Sequence, residues 1–251
     1  MARQSSIIKL KGTIGGVTFY KSKDGYLARE KGGVDASRIK NDPAFQRTRE
    51  NGSEFGRAGN AGKVLRNSIR ALLLKASDYR MVSRLTREMV KVIQMDETNP
   101  RGQRNIIDGE AELLQGFEFN INGKLGTTLF APFSVTLDRV TGDAKVDLEA
   151  FVPTMAIASP GGTTHFKILS GAMEVDFENQ TFNAKISEGN ITAWNEVEVT
   201  ALSLENNLTA NSTHPLFFVV GVEFYQQVNG EMYPLKNGAY NALQIVKVVG
   251  V

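Results

Sequence analysis

Carboxylates are the most regularly ordered chemical groups in this chain. Glu174, Asp176 and Glu178 alternate with Val175 and Phe177. Asp147 and Glu149 alternate with Val146 and Leu148, and Glu196 and Glu198 with Val197 and Val199. A period of two puts each set on one face of a strand, so these seven acids form a candidate acidic interaction face. Paired carboxylates also equip glycosidases. Trp194 is the lone tryptophan, however, and no aromatic platform for a sugar goes with them. Asp138, Asp143 and Asp147 lack the glycine and spacing of an EF-hand calcium loop. A solvated, acidic sheet face is the plainer expectation.

Other chemistry is sparse. His165 and His214 are the only imidazoles, and neither has a neighbour at metal-ligand spacing. The segment Gly56-Arg57-Ala58-Gly59-Asn60-Ala61-Gly62-Lys63-Val64 superficially resembles a phosphate-binding loop. Arg57 stands where that loop needs its first glycine, and Val64 replaces the hydroxyl that would hold Mg²⁺. The absence of cysteine removes disulfides, thiolate nucleophiles and zinc–thiolate sites together. No nucleophile-elbow pattern occurs. The expectation is a protein that is not an enzyme, with no catalytic residue, cofactor or metal.

Cations have their own pattern. Arg80, Arg84, Arg87 and Lys91 recur at steps of four, three and four, opposite an apolar face of Val82, Leu85, Met89 and Val92. With Arg66 and Arg70 they form a candidate basic interaction face. Such a stripe could track phosphates, and Tyr20 and Tyr26, interleaved with Lys21, Lys23 and Arg29, could stack on bases. No recognised nucleic-acid reader motif is present. Gly52, Gly56, Gly59 and Gly62 are candidate close-packing glycines. Two readings stand for them: a helix on which another backbone lies close, or a loop with a helix resuming near Lys63.

The elements that would position these residues change character along the chain. Ile7–Lys11 is a short extended candidate. Val17–Lys21 and Tyr26–Glu30 flank Ser22-Lys23-Asp24-Gly25 as a β-hairpin. Asp42 and Pro43 read as N-cap and first residue of a helix, Asp78 as the cap of another through about Met95, and Asn99-Pro100 as a further helix start. After Gly116 the period becomes two. Asn122-Gly123, between Phe117–Ile121 and Lys124–Phe130, is the strongest hairpin signal. Further strands are expected at Phe133–Val140, Ala144–Val152, His165–Glu178, Gln180–Ser187, Val197–Leu204, Leu216–Val228 and Leu243–Val249. The expected fold class is α+β: an N-terminal β-hairpin and helices, then a C-terminal antiparallel β-sandwich, immunoglobulin-like or jelly-roll. Three regions follow: an arm over 1–40, basic helices over 41–115 and an acidic sandwich over 116–251.

Charge divides the same way. The 251 residues carry a formal net charge of +2, but the chain through Arg104 is net +12 and the remainder net −10. Such asymmetry points to different partners, or to mutual attraction. At 41% hydrophobic and 22% charged the composition is that of an ordinary globular protein. No apolar run approaches the length of a membrane span. Met1–Thr13 has no apolar signal-peptide core, so the cytoplasm or an assembled particle is the expected location.

Lys11-Gly12-Thr13-Ile14-Gly15-Gly16 through Lys31-Gly32-Gly33, Asn41-Asp42-Pro43-Ala44-Phe45-Gln46-Arg47-Thr48-Arg49-Glu50, and Leu216 through Tyr240 carry a resemblance to an uncharacterised family of bacterial proteins, chiefly from Bacteroidota. It extends over the whole chain and implies one shared architecture; it brings no activity, cofactor or site residue. The functional expectation is a non-enzymatic structural protein that self-associates into a homo-oligomeric particle, tube or filament. A phage or phage-derived origin is compatible with that. The alternative is a nucleic-acid-associated module binding through the basic N-terminal region.

Overall fold

Glycines at left-handed φ, Gly15 and Gly25, turn the N-terminal stretch back on itself twice. The result is an antiparallel sheet in the order β1-β4-β3-β2, built from β1 (Ala2–Arg3), β2 (Gly12–Ile14), β3 (Val17–Ser22) and β4 (Gly25–Glu30). The expected hairpin is therefore its central pair, with Ser22 opposite Gly25. Ile7–Lys11 is not a strand. The Gln4 side chain instead takes the place of a neighbouring strand, accepting from Leu10 N (2.8 Å) and donating to Leu10 O (3.2 Å), which closes a loop over residues 5–9. Next comes α1 (Ala36–Asn41), capped by Asp35, and then a 3₁₀ turn, Pro43–Phe45, capped by Asp42. The computed structural model describes residues 1–30 and 32–251; Lys31, within a segment carrying the resemblance, lies outside the described residues. The chain divides into two units, Met1–Arg49 and Glu50–Val251.

Helix α2 runs unbroken over Gln46–Ser68, so the glycine-rich stretch is helical. It is followed by α3 (Arg70–Leu73) and α4 (Met81–Gln94). Ala58, Ala61, Leu65 and Ile69 pack in one core with Leu85, Met89, Val92 and Ile93. Residues 96–105 do not begin a helix at Asn99-Pro100. The Asp96 carboxylate gathers the N–H groups of Thr98, Asn99 and Asn105, each at 2.9 Å, and so stabilises an irregular loop. That loop is strapped to α2. Buried Glu54 accepts from Arg104 Nε (2.7 Å), Arg104 Nη2 (2.8 Å) and Gly102 N (2.8 Å). Arg57 donates to the carbonyls of Gly102 and Arg104.

The remaining elements are β5 (Phe133–Leu137), β6 (Ala144–Leu148), α5 (Pro153–Ala156), β7 (His165–Asp176), β8 (Thr181–Glu188), β9 (Thr192–Ala193), β10 (Leu202–Glu205), β11 (Leu216–Val228), β12 (Glu231–Pro234) and β13 (Ala242–Val249). A large sheet follows the path β12-β11-β7-β8, with β13 also on β11 and β9 also on β7; a small sheet has the order β10-β6-β5. All pairings are antiparallel. The central strands of the large sheet, β7 and β11, are buried on both faces over most of their length. Phe166, Ile168, Phe218, Val220 and Phe224 meet the small sheet, while Leu169, Met173, Phe217, Val219 and Ile245 meet the helices. This explains the continuous apolar run Leu216–Val222, which a half-exposed strand would not need. Each fully buried Phe there contributes about 1.5–3 kcal/mol. The fold is α+β with a β-rich antiparallel C-terminal part, its two sheets face to face.

The Asn122-Gly123 hairpin does not form. Phe117 and Phe119, ring edge to face at 5.1 Å, turn into the helix-side core, and their backbone pairs with β13: Phe119 N donates to Leu243 O (2.8 Å) and Ile245 N to Phe117 O (3.0 Å). Residues 125–127 are a 3₁₀ turn. Gly123 is needed for another reason, because a Cβ there would stand 2.3 Å from Tyr240 O. The working Asn-Gly turn is Asn229-Gly230, both at positive φ, joining β11 to β12.

Candidate functional site

The seven acids of the expected acidic face do not share one face. Asp147 lies on β6 in the small sheet, bound to Lys145 (3.0 Å) and Ser203 (2.6 Å). Glu174 is half-buried and accepts from Ser212 Oγ (2.5 Å). Asp176 is buried and shapes the β7–β8 turn by accepting from Glu178 N and Asn179 N. Hydrogen bonds from the Asn179 N–H and then from its side-chain amide hold the Asp176 carboxyl below the usual range against the cost of burial. Glu174 and Asp176 are thus scaffold rather than solvated face, because the strand they sit on is covered on both sides. Glu149, Glu178, Glu196 and Glu198 are exposed.

The basic stripe is likewise divided. Arg84 is drawn inward: it pairs with Asp78, whose side chain is buried, and donates to Glu118 O (2.7 Å) and Phe119 O (3.3 Å). Asp78 is therefore more than a cap. It accepts from Arg80 N (2.7 Å) one residue before α4 and from Ile121 N (3.1 Å) across the fold. Arg87 and Lys91 both bind Glu88, at 3.0 and 2.6 Å. Arg66 bonds to Gly62 O on its own helix, Arg80 lies over the Tyr79 ring, and Arg70 is exposed. Of the six cations, Arg84 is the one engaged with a buried carboxylate. Of the four glycines only Gly62 is closely packed, with its Cβ position 3.6 Å from Leu85; nothing stands within 4 Å at Gly52, Gly56 or Gly59.

A closed ring of ion pairs joins residues that no motif in the sequence connects. Lys167 on β7 reaches Glu188 (2.5 Å) and Glu223 (3.4 Å), and Lys75, beyond α3, reaches the same two glutamates at 3.2 Å each. Tyr225 donates its hydroxyl to Glu223. Burial alone would lower the Lys167 ammonium pKa, but the Glu188 hydrogen bond and the charge of Glu223 raise it. Burial and the adjoining Glu223 push the Tyr225 hydroxyl up to about 12. A cavity of about 210 Å³ opens beside Lys75, Glu223 and Tyr225. The ring is neutral and each charge already has two partners, so it clamps the turn after α3 to the large sheet. The available signal was a charge set among apolar neighbours in each of two strands, Lys167 between Phe166 and Ile168 and Glu223 between Val222 and Phe224.

Exposed apolar side chains occur in both units. In the second unit, Phe130 (58% exposed), Met155 (82%) and Val197 (68%) lie on neighbouring segments. Phe130 N donates to Ala156 O (2.7 Å), Thr154 N to Asn195 O (3.2 Å), and Phe151 bridges Val199. Glu149, Glu196 and Glu198 border them, with no ion pair among the described residues. No Lys or Arg occurs in 125–138, 146–166 or 186–235, so these stretches bring no cation of their own, although Lys247 of β13 reaches Val135 O (3.5 Å). In the first unit no described residue is buried; Ile7 is fully exposed and Ile8 73% exposed, next to Lys9 and Lys11. With 11 basic and 4 acidic residues, that unit is net +7 and the second is net −5.

Among the described residues no three His, Asp or Glu side chains converge as a metal site, and no helix is long and apolar enough to cross a membrane. No family model matches the chain, and no curated protein matches it. Among solved structures, the human F-spondin reeler domain (fragment 1) is similar over 49% of this chain and 97% of that one, at 12% identity and a TM-score of 0.18, too slight a likeness to bear on fold or function.

Proposed function

We propose that this protein is a non-enzymatic structural subunit that self-associates through unlike surfaces into a ring, tube or filament. The observation that carries it is the N-terminal unit. A four-stranded sheet with no buried residue has no interior of its own to stabilise it. It shows apolar side chains and a net charge of +7, while the rest of the chain has two filled cores and net −5. Contact between an arm on one copy and a different surface on the next is heterologous, which closes into rings or extends as filaments. Apolar burial supplies the affinity, and unlike charge selects partner and register.

Light scattering on size-exclusion peaks, over a range of concentration and salt, tests this, together with electron microscopy of the full-length protein. Oligomers that grow with concentration are expected; monomers at every concentration in low salt overturn it. The nucleic-acid alternative loses support at two places. Arg84 is committed to Asp78, and the rings of Tyr20 and Tyr26 already carry Arg29 and Lys21, each 5.6 Å from the ring centre. A gel-shift titration separates the two, and salt-sensitive DNA or RNA binding without self-association favours the alternative.

A further inference from the structure

We infer that the Ile7–Ile8 loop of one copy docks on the Phe130–Met155–Val197 patch of a second copy, with Lys9 and Lys11 facing Glu149, Glu196 and Glu198. The inference rests on the self-association proposed above and names its two surfaces.

Each surface is incomplete in a way the other completes. Large apolar side chains exposed on adjoining segments attract a partner rather than water, and here the segments are held in place. The backbone bonds of Phe130 to Ala156 and Thr154 to Asn195, with the Phe151–Val199 bridge, fix the three segments against one another. Glu149, Glu196 and Glu198 on these segments are exposed and in no ion pair among the described residues, and residues 146–166 and 186–235 contain no Lys or Arg. A free carboxylate-rimmed apolar patch selects a cationic apolar partner and repels an anionic one.

The loop over residues 5–9 has that chemistry. Gln4 ties its ends by bonding both N and O of Leu10, and Lys9 Nζ donates to Gln4 O (2.5 Å), so the loop is preorganised. Its tip is Ile7-Ile8, and Lys9, Leu10 and Lys11 follow directly. Ordering it in a complex therefore costs less than ordering a free tail. Three apolar side chains and two lysines make a small contact; repetition around a ring or along a filament multiplies it.

The chain has no cysteine, which permits a direct test in the full-length protein. Ile7→Cys and Val197→Cys are made in separate chains, mixed and oxidised, so that any disulfide between them joins two copies. Phe182→Cys, exposed on β8, serves as the control partner. The expected result is a preferential Ile7→Cys with Val197→Cys dimer. Its yield should fall several-fold with Glu196→Lys plus Glu198→Lys in the acceptor and recover when Lys9→Glu plus Lys11→Glu are added to the donor. If oligomers form by light scattering but the Phe182→Cys control crosslinks equally well, this docking is wrong while self-association stands. If a disulfide forms only when both cysteines are in one chain, the docking is also wrong. If the wild-type chain never associates, the broader proposal fails with it.

Discussion

At the scale of single residues, buried charge makes the sharpest predictions. Glu118 is half-buried, accepting from Leu125 N (3.1 Å) and Gln244 Nε2 (2.6 Å), and burial pushes its carboxyl up to about 6. An acid raised in the fold keeps its proton longer there than in the unfolded chain. Its contribution is therefore most favourable below about pH 4.5 and is lost as pH rises through about 6, a cost of up to about 2 kcal/mol. Denaturant unfolding from pH 4.5 to 7.5 should show Glu118→Gln gaining on the wild type as pH rises; a constant difference would refute this. Glu54 behaves oppositely. Hydrogen bonding from Arg104 lowers its pKa, so its stabilisation exists above its unfolded value and fades as pH falls through the folded one. Glu54→Ala would leave Arg104 half-buried and unpaired, and about 3–5 kcal/mol of unfolding free energy should disappear in urea titrations. Neither residue stands out by periodicity, because a carboxylate on a helix or in an extended segment looks the same in sequence whether it meets water or buried donors from elsewhere in the chain.

At the scale of elements, α2 makes the cleanest case. Gly52, Gly56 and Gly59 lie inside a 23-residue helix with open space where a Cβ would stand. Each change to Ala should raise stability by about 0.5–1 kcal/mol in thermal or denaturant melts. A loss instead would mean that another chain lies on that helix face. Gly123→Ala should do the reverse, since its Cβ would meet Tyr240 O and Asn241 O at under 3 Å. The strands at 133–137, 144–148, 165–176 and 216–228 were legible from alternation or continuous apolarity. The Asn122-Gly123 hairpin was not legible, because Phe117 and Phe119 gain more by joining β13 over the helix-side core than by pairing with their sequence neighbours. A turn motif permits a hairpin; burial decides whether the strands on either side use it.

At the scale of the whole molecule, charge asymmetry governs behaviour. If unlike surfaces on different copies guide association, raising the salt should weaken it, because exposed charges are screened beyond about 8–10 Å at physiological ionic strength. Sedimentation velocity from low to high salt measures this, and salt-independent oligomers would assign the contact to apolar burial alone. The ion-pair ring of Lys75, Glu188, Lys167 and Glu223 belongs to this scale too, since its members come from four separate stretches of chain.

The sequence by itself determined what is local or additive: the two-fold and helical periods, the caps at Asp42 and Pro43, the absence of thiol chemistry, and the opposite net charges of front and back. Tertiary structure alone decided which charges stay in solvent. Asp176, Glu174 and Arg84 read as surface residues until strands and helices from distant parts of the chain cover them, whereas Glu149, Glu196 and Glu198 stay uncovered. The physical reason is that periodicity reports which residues share a face, while the identity of whatever packs on that face depends on long-range pairing that no short window of sequence encodes.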